Sequence, residues 1–269
     1  IPALAIDADL DETIHDLFFP DTVYHRISVP RNCTVVQITD SFFSKTTLKA
    51  SSSATTLIPK IQAFMDEECS KRKMMIAASK QIVRAADSKD GLASGKELPP
   101  LEVSRGSKLA TFGGLRGKDG WKTKAGAIII GNNQPGNAVE KLARALWFDA
   151  EEPLQTLSPT EMWRRQVRGY RCANADLKLG VNVFIHPDAR VQRLVEQVRE
   201  SETTQAIDRL RLVHHQGEPK IIYVLSNLVL DLTVDLLIGH KRLLDGGGKL
   251  VAAWKQHQGV MPLEKGWLH

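Results

Sequence analysis

Two stretches of the chain combine residue types that handle phosphate. The first is Thr111-Phe112-Gly113-Gly114-Leu115-Arg116-Gly117-Lys118-Asp119-Gly120-Trp121-Lys122, followed closely by Ala127-Ile128-Ile129-Ile130-Gly131. It sets an Arg-Gly-x-Asp turn just ahead of an apolar run. The second is Gln205-Ala206-Ile207-Asp208-Arg209-Leu210-Arg211, which precedes the apolar run from Ile221 to Leu225. Helical spacing places Gln205 and Arg209 one turn apart on a shared stripe and sends Arg211 elsewhere. An arginine held at a helix end can reach a γ-phosphate on a facing domain and stabilise the charge that develops during phosphoryl transfer. The plainer alternatives are a glycine-rich turn before a core strand and a solvated helix on which Asp208 pairs with a neighbouring Arg.

Other catalytic templates fail. The sequence has no Gly-x-Ser-x-Gly elbow, no His-Glu-x-x-His and no acidic calcium loop. His214-His215 is the only His pair, and adjacent side chains on a helix diverge by about 100°, too far to chelate one metal. No metal site is expected. Gly246-Gly247-Gly248-Lys249 imitates a phosphate loop, but Leu250 stands where a Mg²⁺-binding Ser or Thr belongs, and the loop lacks a leading Gly. With no Walker A motif, the chain cannot by itself present the usual nucleoside triphosphate site.

The elements that must position these residues follow from periodicity. Apolar runs at Ala3–Ile6, Cys33–Thr39, Met74–Ala78, Leu109–Phe112, Ala127–Ile130 and Lys220–Ser226 read as strands, with a further alternating run at Val23–Val29. Helical spacing marks Asp11–Phe18, Leu57–Cys69, Asn137–Trp147, a long stretch from the N-cap Asp188 to Val213, then Val234–Leu244 and Leu250–His257. Ser51-Ser52-Ser53 and Ser88–Pro100 read as loops. Alternation of strand and helix predicts an α/β fold, a mainly parallel sheet with helices on both faces. Gln166–Cys172 and Val181–Ile185 predict a hairpin-like insertion within about residues 151–187. Its Arg164, Arg165, Arg168, Tyr170 and Arg171 could track a phosphate backbone and stack a base, or serve as a charged protected edge.

Composition narrows the class. The 269 residues are 42% hydrophobic and 25% charged, which excludes a disordered, collagen-like or disulfide-stapled chain. A net charge of +5 and a pI near 9.1 favour anionic partners without requiring them. No apolar run approaches the roughly 20 residues of a membrane span. Cys33, Cys69 and Cys172 are far apart and outside any Cys-x-x-Cys pair, which fits a reducing compartment. Ile1-Pro2-Ala3 carries no signal-peptide pattern, and a cytoplasmic protein is the expectation.

The Thr111 to Ile130 stretch resembles motif V of superfamily 2 helicases, and the Gln205 to Arg211 stretch resembles motif VI, usually Gln-x-x-Gly-Arg followed by another Arg. Asp208 departs from the customary Gly, and the Arg-x-Arg spacing is that of superfamily 1. Met74 to Lys80 is similar to motif IV, and Asp7-Ala8-Asp9 to the motif III tripeptide with Asp9 in place of Thr. The order matches the family, in particular its phage, plasmid and mobile-element members, over Ala3 to Asn227. The resemblance implies a RecA-like C-terminal helicase domain at 1–233 and a helical extension at 234–269. It implies ATP and Mg²⁺ bound mainly by an N-terminal RecA-like domain of the same polypeptide, DNA or RNA as partner, and inactivity of this part alone. Arg209, Gln205 and Arg211 would be catalytic. Gly117 and Asp119 would lie beside the nucleotide, and Ser79, Lys80, Thr111, Arg116, Arg168 and Tyr170 toward the nucleic acid. Two other classes stay open: a non-catalytic nucleic-acid-binding or replication-partner module, and an α/β enzyme binding a small phosphorylated ligand.

Overall fold

Strand β2 (Met74–Ala78), strand β6 (Gly126–Ile130) and strand β10 (Lys220–Leu225) are buried at every position. Continuous apolar runs of this length have no polar face to give to water, so they occupy the middle of a sheet covered on both sides. In the computed structural model, which describes residues 4, 7, 9–85, 100–115, 117–136, 138–157 and 163–246, they pair in parallel with β1 (Cys33–Ile38), β5 (Lys108–Thr111) and β12 (Leu236–Ile238). The six-stranded order is β12-β1-β10-β6-β2-β5, parallel throughout. The protein is therefore α/β, with a parallel sheet flanked by helices.

Alternation along each strand divides the core. Val36, Ile38, Ile76, Ala78, Ile128, Ile130 and Tyr223 face one side, where helix α2 (Lys45–Lys49), helix α3 (Ser51–Lys71) and helix α7 (His240–Leu244) supply Leu48, Ile61, Met65 and Leu243. Val35, Met75, Ala77, Ala127, Ile129, Ile222 and Val224 face the other side, covered by Ala206, Ile207 and Leu210 of helix α6 (Glu202–Asp208) and its end. A third cluster joins helix α4 (Ala138–Leu146) to helix α5 (Ala189–Glu196) through Val139, Ala143, Val191, Leu194 and Val195. A π-turn at Gln197–Ser201 links α5 to α6. Residues 151–187 contain an antiparallel pair, β7 (Arg164–Gly169) with β9 (Gly180–Ile185), and β8 (Arg171–Cys172) pairs with β11 (Thr233–Val234).

Several local expectations yield to tertiary context. Val23–Val29 forms no strand: Val23 and Ile27 are 77% and 86% exposed, because the alternating run meets no sheet edge. Ser51-Ser52-Ser53 opens α3 instead of forming a loop, since serine is tolerated in a first turn whose N–H groups have no intrahelical partners. Val234–Leu244 is not one helix. Leu236–Ile238 pairs with Val36–Ile38 at the open edge of β1, so the sheet continues past residue 233 before the short α7 (His240–Leu244) begins. The long helix from Asp188 ends at Asp208 rather than Val213, broken by a left-handed Arg211. Two three-residue strands, β3 (Val83–Ala85) and β4 (Leu101–Val103), pair beside α3 and are too short to read from periodicity. The helix expected over Asp11–Phe18 is the shorter α1 (Glu12–Asp16), with Asp11 as its N-cap. Of the expected strand at 3–6 only Leu4 is described, outside any strand and 86% exposed, while most of the Ser88–Pro100 loop and the 250–257 helix lie outside the described residues. Among the described residues, no helix is long and apolar enough to cross a membrane.

Asp188 caps α5 as its sequence position predicts. Its carboxylate accepts from the backbone N–H of Arg190 at 2.9 Å and of Gln155 at 2.9 Å, and pairs with the Arg190 guanidinium at 2.9 Å. Burial pushes its pKa up, but the hydrogen bonds from Arg190 and Gln155 outweigh it and hold the value at about 2. A depressed folded pKa means that the stabilisation is present above the unfolded value of 3.8 and is lost as pH falls toward about 2. Asp188→Ala is expected to cost roughly 1–3 kcal/mol at neutral pH. In urea melts, the gap between wild type and variant should close across that acid window; a gap that stays constant into the window would show that the charge contributes nothing.

Candidate functional site

Helix α6 runs antiparallel to the strands, so its two ends mark two different edges of the sheet. At its start, Glu202 reaches the carboxyl ends of β5 and β6, accepting from the Gly113 backbone N–H and from Asn133 Nδ2. At its end, Asp208, Arg209 and Arg211 lie at the amino edge. Lys220, the first residue of β10, donates there through Nζ to the carbonyls of Leu210 at 3.0 Å and Lys122 at 2.6 Å. Desolvation lowers the Lys220 pKa.

The amino edge gathers four of the predicted residues. The turn after β5 (Lys108–Thr111) crosses the sheet face and arrives beside the end of α6. Gly117 takes a left-handed φ of +72° with open space at its Cα, a conformation glycine adopts without steric cost. Asp119 Oδ1 accepts from Arg211 Nε at 3.0 Å, with Lys122 Nζ 3.9 Å from its other oxygen. Arg211 itself is left-handed at φ 56°, ψ 46°, which turns its side chain off the helix and onto the turn. Arg209 is half-buried, and among the described residues its buried Nε has no hydrogen-bond partner. A buried guanidinium N–H left unpaired is costly unless a ligand or partner completes it.

Asp208, the residue in the customary glycine position, is committed elsewhere. Its two oxygens accept from Arg31 Nε at 2.7 Å and Nη2 at 2.9 Å, and Arg31 Nη1 donates to the Asp231 carbonyl at 3.2 Å. The hydrogen bond to Asp208 raises the Arg31 pKa. Gln205, one turn before Arg209, lines a separate groove of about 650 Å³ with Asp9, Leu10, Ile14, Leu142 and Val198. Asp9 lies against the start of α6 there, with burial raising its pKa and the Ser201 hydroxyl opposing the rise. Arg116 and Ala8 lie outside the described residues.

Ser79, Lys80 and Thr111 sit at the opposite, carboxyl edge. Strands of four to six residues separate the two edges by about 15 Å. Ser79 closes the turn after β2 (Met74–Ala78), its carbonyl accepting from Ile82 at 3.0 Å and Val83 at 3.3 Å, while Lys80 is exposed. Thr111 ends β5 and accepts from Gly114 N at 2.9 Å.

Tyr170 does not present a stacking face. Its ring is buried in the second core cluster and its hydroxyl donates to the Asn227 carbonyl at 2.9 Å, with burial raising its pKa. It was expected at a surface because it follows a basic strand, but the chain turns inward after Gly169. Arg168 is likewise engaged, bonded to Glu196 with Glu200 at 3.9 Å. Sequence reasoning missed Arg31, Glu202 and Phe184, which become visible only when distant segments meet. Arg31 stands in a Pro-Arg-Asn turn, Glu202 is an unremarked acid on a helix, and Phe184 reads as ordinary strand filling. Among the described residues, no group of His, Cys, Asp and Glu could hold a metal ion.

The two ion pairs at the amino edge differ in consequence. Arg211 and Asp119 are each about half exposed, whereas Arg31 and Asp208 are more covered and bidentate. Double-mutant cycles in urea are expected to give a coupling of about 0.5 kcal/mol for Arg211–Asp119 and about 1–2 kcal/mol for Arg31–Asp208. Equal couplings would contradict this ranking. No protein-family model matches the chain, and neither a curated protein nor a solved structure matches it significantly.

Proposed function

We propose that the chain is the second motor domain of an ATP-dependent nucleic-acid helicase or translocase. The observation that carries this reading is the meeting of two distant segments at one sheet edge. The Arg211–Asp119 contact at 3.0 Å joins the end of the Gln205–Arg211 segment to the Arg-Gly-x-Asp turn, 92 residues apart in sequence. Had those segments occupied opposite ends of the sheet, the two could not have served one nucleotide. The parallel α/β sheet is compatible with a RecA-like fold.

In this reading ATP and Mg²⁺ sit mainly on an N-terminal RecA-like domain that carries a phosphate loop, and this chain closes the cleft. ATP supplies the phosphoryl group whose transfer to water drives movement. Arg209 would contribute its half-buried guanidinium to charge developing on a facing phosphate, and among the described residues its Nε has no hydrogen-bond partner. Gly117 and Asp119 flank that group, and the Asp119 pairing keeps Arg211 from competing for the same phosphate. Ser79, Lys80 and Thr111, at the carboxyl edge, face the nucleic acid. Opening and closing of the cleft would couple the two edges through α6 (Glu202–Asp208).

In the polypeptide carrying both domains, Arg209→Ala is expected to lower nucleic-acid-stimulated ATP hydrolysis at least about a hundredfold with oligonucleotide affinity retained. Arg209→Lys should restore little, since a point charge does not reproduce the planar fork. Hydrolysis unaffected by Arg209→Ala would refute the reading. An enzyme with no hydrolysis to lose would identify a binding module on the same fold.

A further inference from the structure

In the β7–β9 pair (Arg164–Gly169 with Gly180–Ile185), β9 turns one face to the protein and one out, while β7 is exposed at most positions on both. Antiparallel register sets Arg165 opposite Phe184 and Val167 opposite Asn182, so these four share a face. The intervening Val183 is buried, whereas Val167 is 69% exposed and Phe184 is 38% exposed. The outward face is therefore the Arg165, Val167, Asn182 and Phe184 face. On it the Arg165 guanidinium lies over the Phe184 ring at 5.5 Å, and Phe42 packs beside that ring at 6.1 Å, tilted by 37°. Among the described residues, Arg165 has no carboxylate partner. A cation left over an exposed aromatic, with a second ring alongside, combines phosphate attraction and base stacking in one place.

Two further observations show that this face is held in position. Arg199, only 2% exposed, donates through Nη1 to the Phe184 carbonyl at 3.2 Å and to Gln134 Oε1 at 3.4 Å. It also holds Glu200 through Nε at 3.0 Å. The strand bearing Phe184 is thus pinned to the loop after β6 (Gly126–Ile130). Phe42 is presented by a strained turn: its neighbour Phe43 has a φ of 41°, uncommon outside glycine, and its carbonyl packs on Gly131, where a Cβ would come within 2.4 Å. Strain of this kind persists where the surroundings over-determine it, as at ligand clamps. Phe42 follows β1 (Cys33–Ile38) at the carboxyl edge, so the aromatic pair connects the arm to the edge that carries Ser79, Lys80 and Thr111.

We infer that Arg165, Phe184 and Phe42 form a stacking platform for single-stranded nucleic acid, with a base against the rings and a phosphate on the guanidinium. The proposal borrows from the motor-domain reading only that the ligand is a nucleic acid. Its test contains no ATP, so failure of the one is readable separately from failure of the other.

The test is fluorescence anisotropy of the whole chain with labelled oligothymidylate and oligouridylate of about 20 nucleotides, longer than the roughly 4–16 nucleotides such sites cover. A duplex of equal length is the comparison. Phe184→Ala is expected to weaken single-strand binding about 5- to 150-fold and Phe184→Tyr to retain it. Arg165→Ala should weaken binding and reduce the slope of log affinity against log salt by about 0.7. Phe148→Ala, which removes an exposed ring beside Asp149, should leave affinity unchanged. Because Phe184→Ala removes packing, Phe184→Leu, which keeps bulk without a π-face, is measured beside Phe184→Tyr. Preference for either single strand with loss in Leu and Ala supports the platform. Wild-type affinity in Phe184→Leu, a preference for duplex, or no binding by the wild type overturns it.

Discussion

Burial of Ala206, Ile207 and Leu210 against one face of the sheet is the contact on which the candidate chemistry depends. Withdrawal from water contributes on the order of 1.5–3 kcal/mol for each of Ile207 and Leu210 and less for the methyl of Ala206. They belong to the same buried cluster as the inward residues of the central strands, so the helix that bears them cannot slide or roll without disturbing that packing. That fixed seating delivers Glu202 to the carboxyl ends of β5 (Lys108–Thr111) and β6 (Gly126–Ile130) and brings Arg209 and Arg211 to the amino edge. The polar contacts at the two ends are directional refinements of a position already set by packing.

The central strands were legible because they are buried on both faces. Met74–Ala78, Ala127–Ile130 and Lys220–Ser226 carry their position in composition alone, and the Asp188 cap announces the start of its helix. What sequence concealed is whatever depends on a partner far along the chain. Leu236–Ile238 has the apolar content of a helix and becomes a strand only because β1 (Cys33–Ile38) offers an open edge. Val23–Val29 has the alternation of a strand and no edge to join. Tyr170 looks like a stacking residue by association with its arginines, yet backbone direction after Gly169 takes it inside. Arg31 shows the same lesson in reverse: nothing around it signals that its guanidinium will meet Asp208, 177 residues away.

Charge is distributed with an economy that matters for the proposed motor reading. Of the three ionised groups at the end of α6 (Glu202–Asp208), two have internal counterions, Asp208 with Arg31 and Arg211 with Asp119. Neutralising the neighbours leaves Arg209 as the group whose field is least compensated locally, which focuses positive potential at one point of the amino edge. At the other edge Lys80 is exposed, as is Arg165 on β7 (Arg164–Gly169).

The π-turn at Gln197–Ser201 gives this architecture an unexpected sensitivity to length. Five-residue closure takes in one residue more than an ordinary helical turn, so the segments before and after it are out of phase by about 100° relative to an uninterrupted helix. That offset lets Leu194 and Val195 face α4 (Ala138–Leu146) while Ala206 and Ile207 face the sheet. Loss of a single codon within the turn would therefore re-phase every residue that follows it on α6, a change no side-chain exchange could undo.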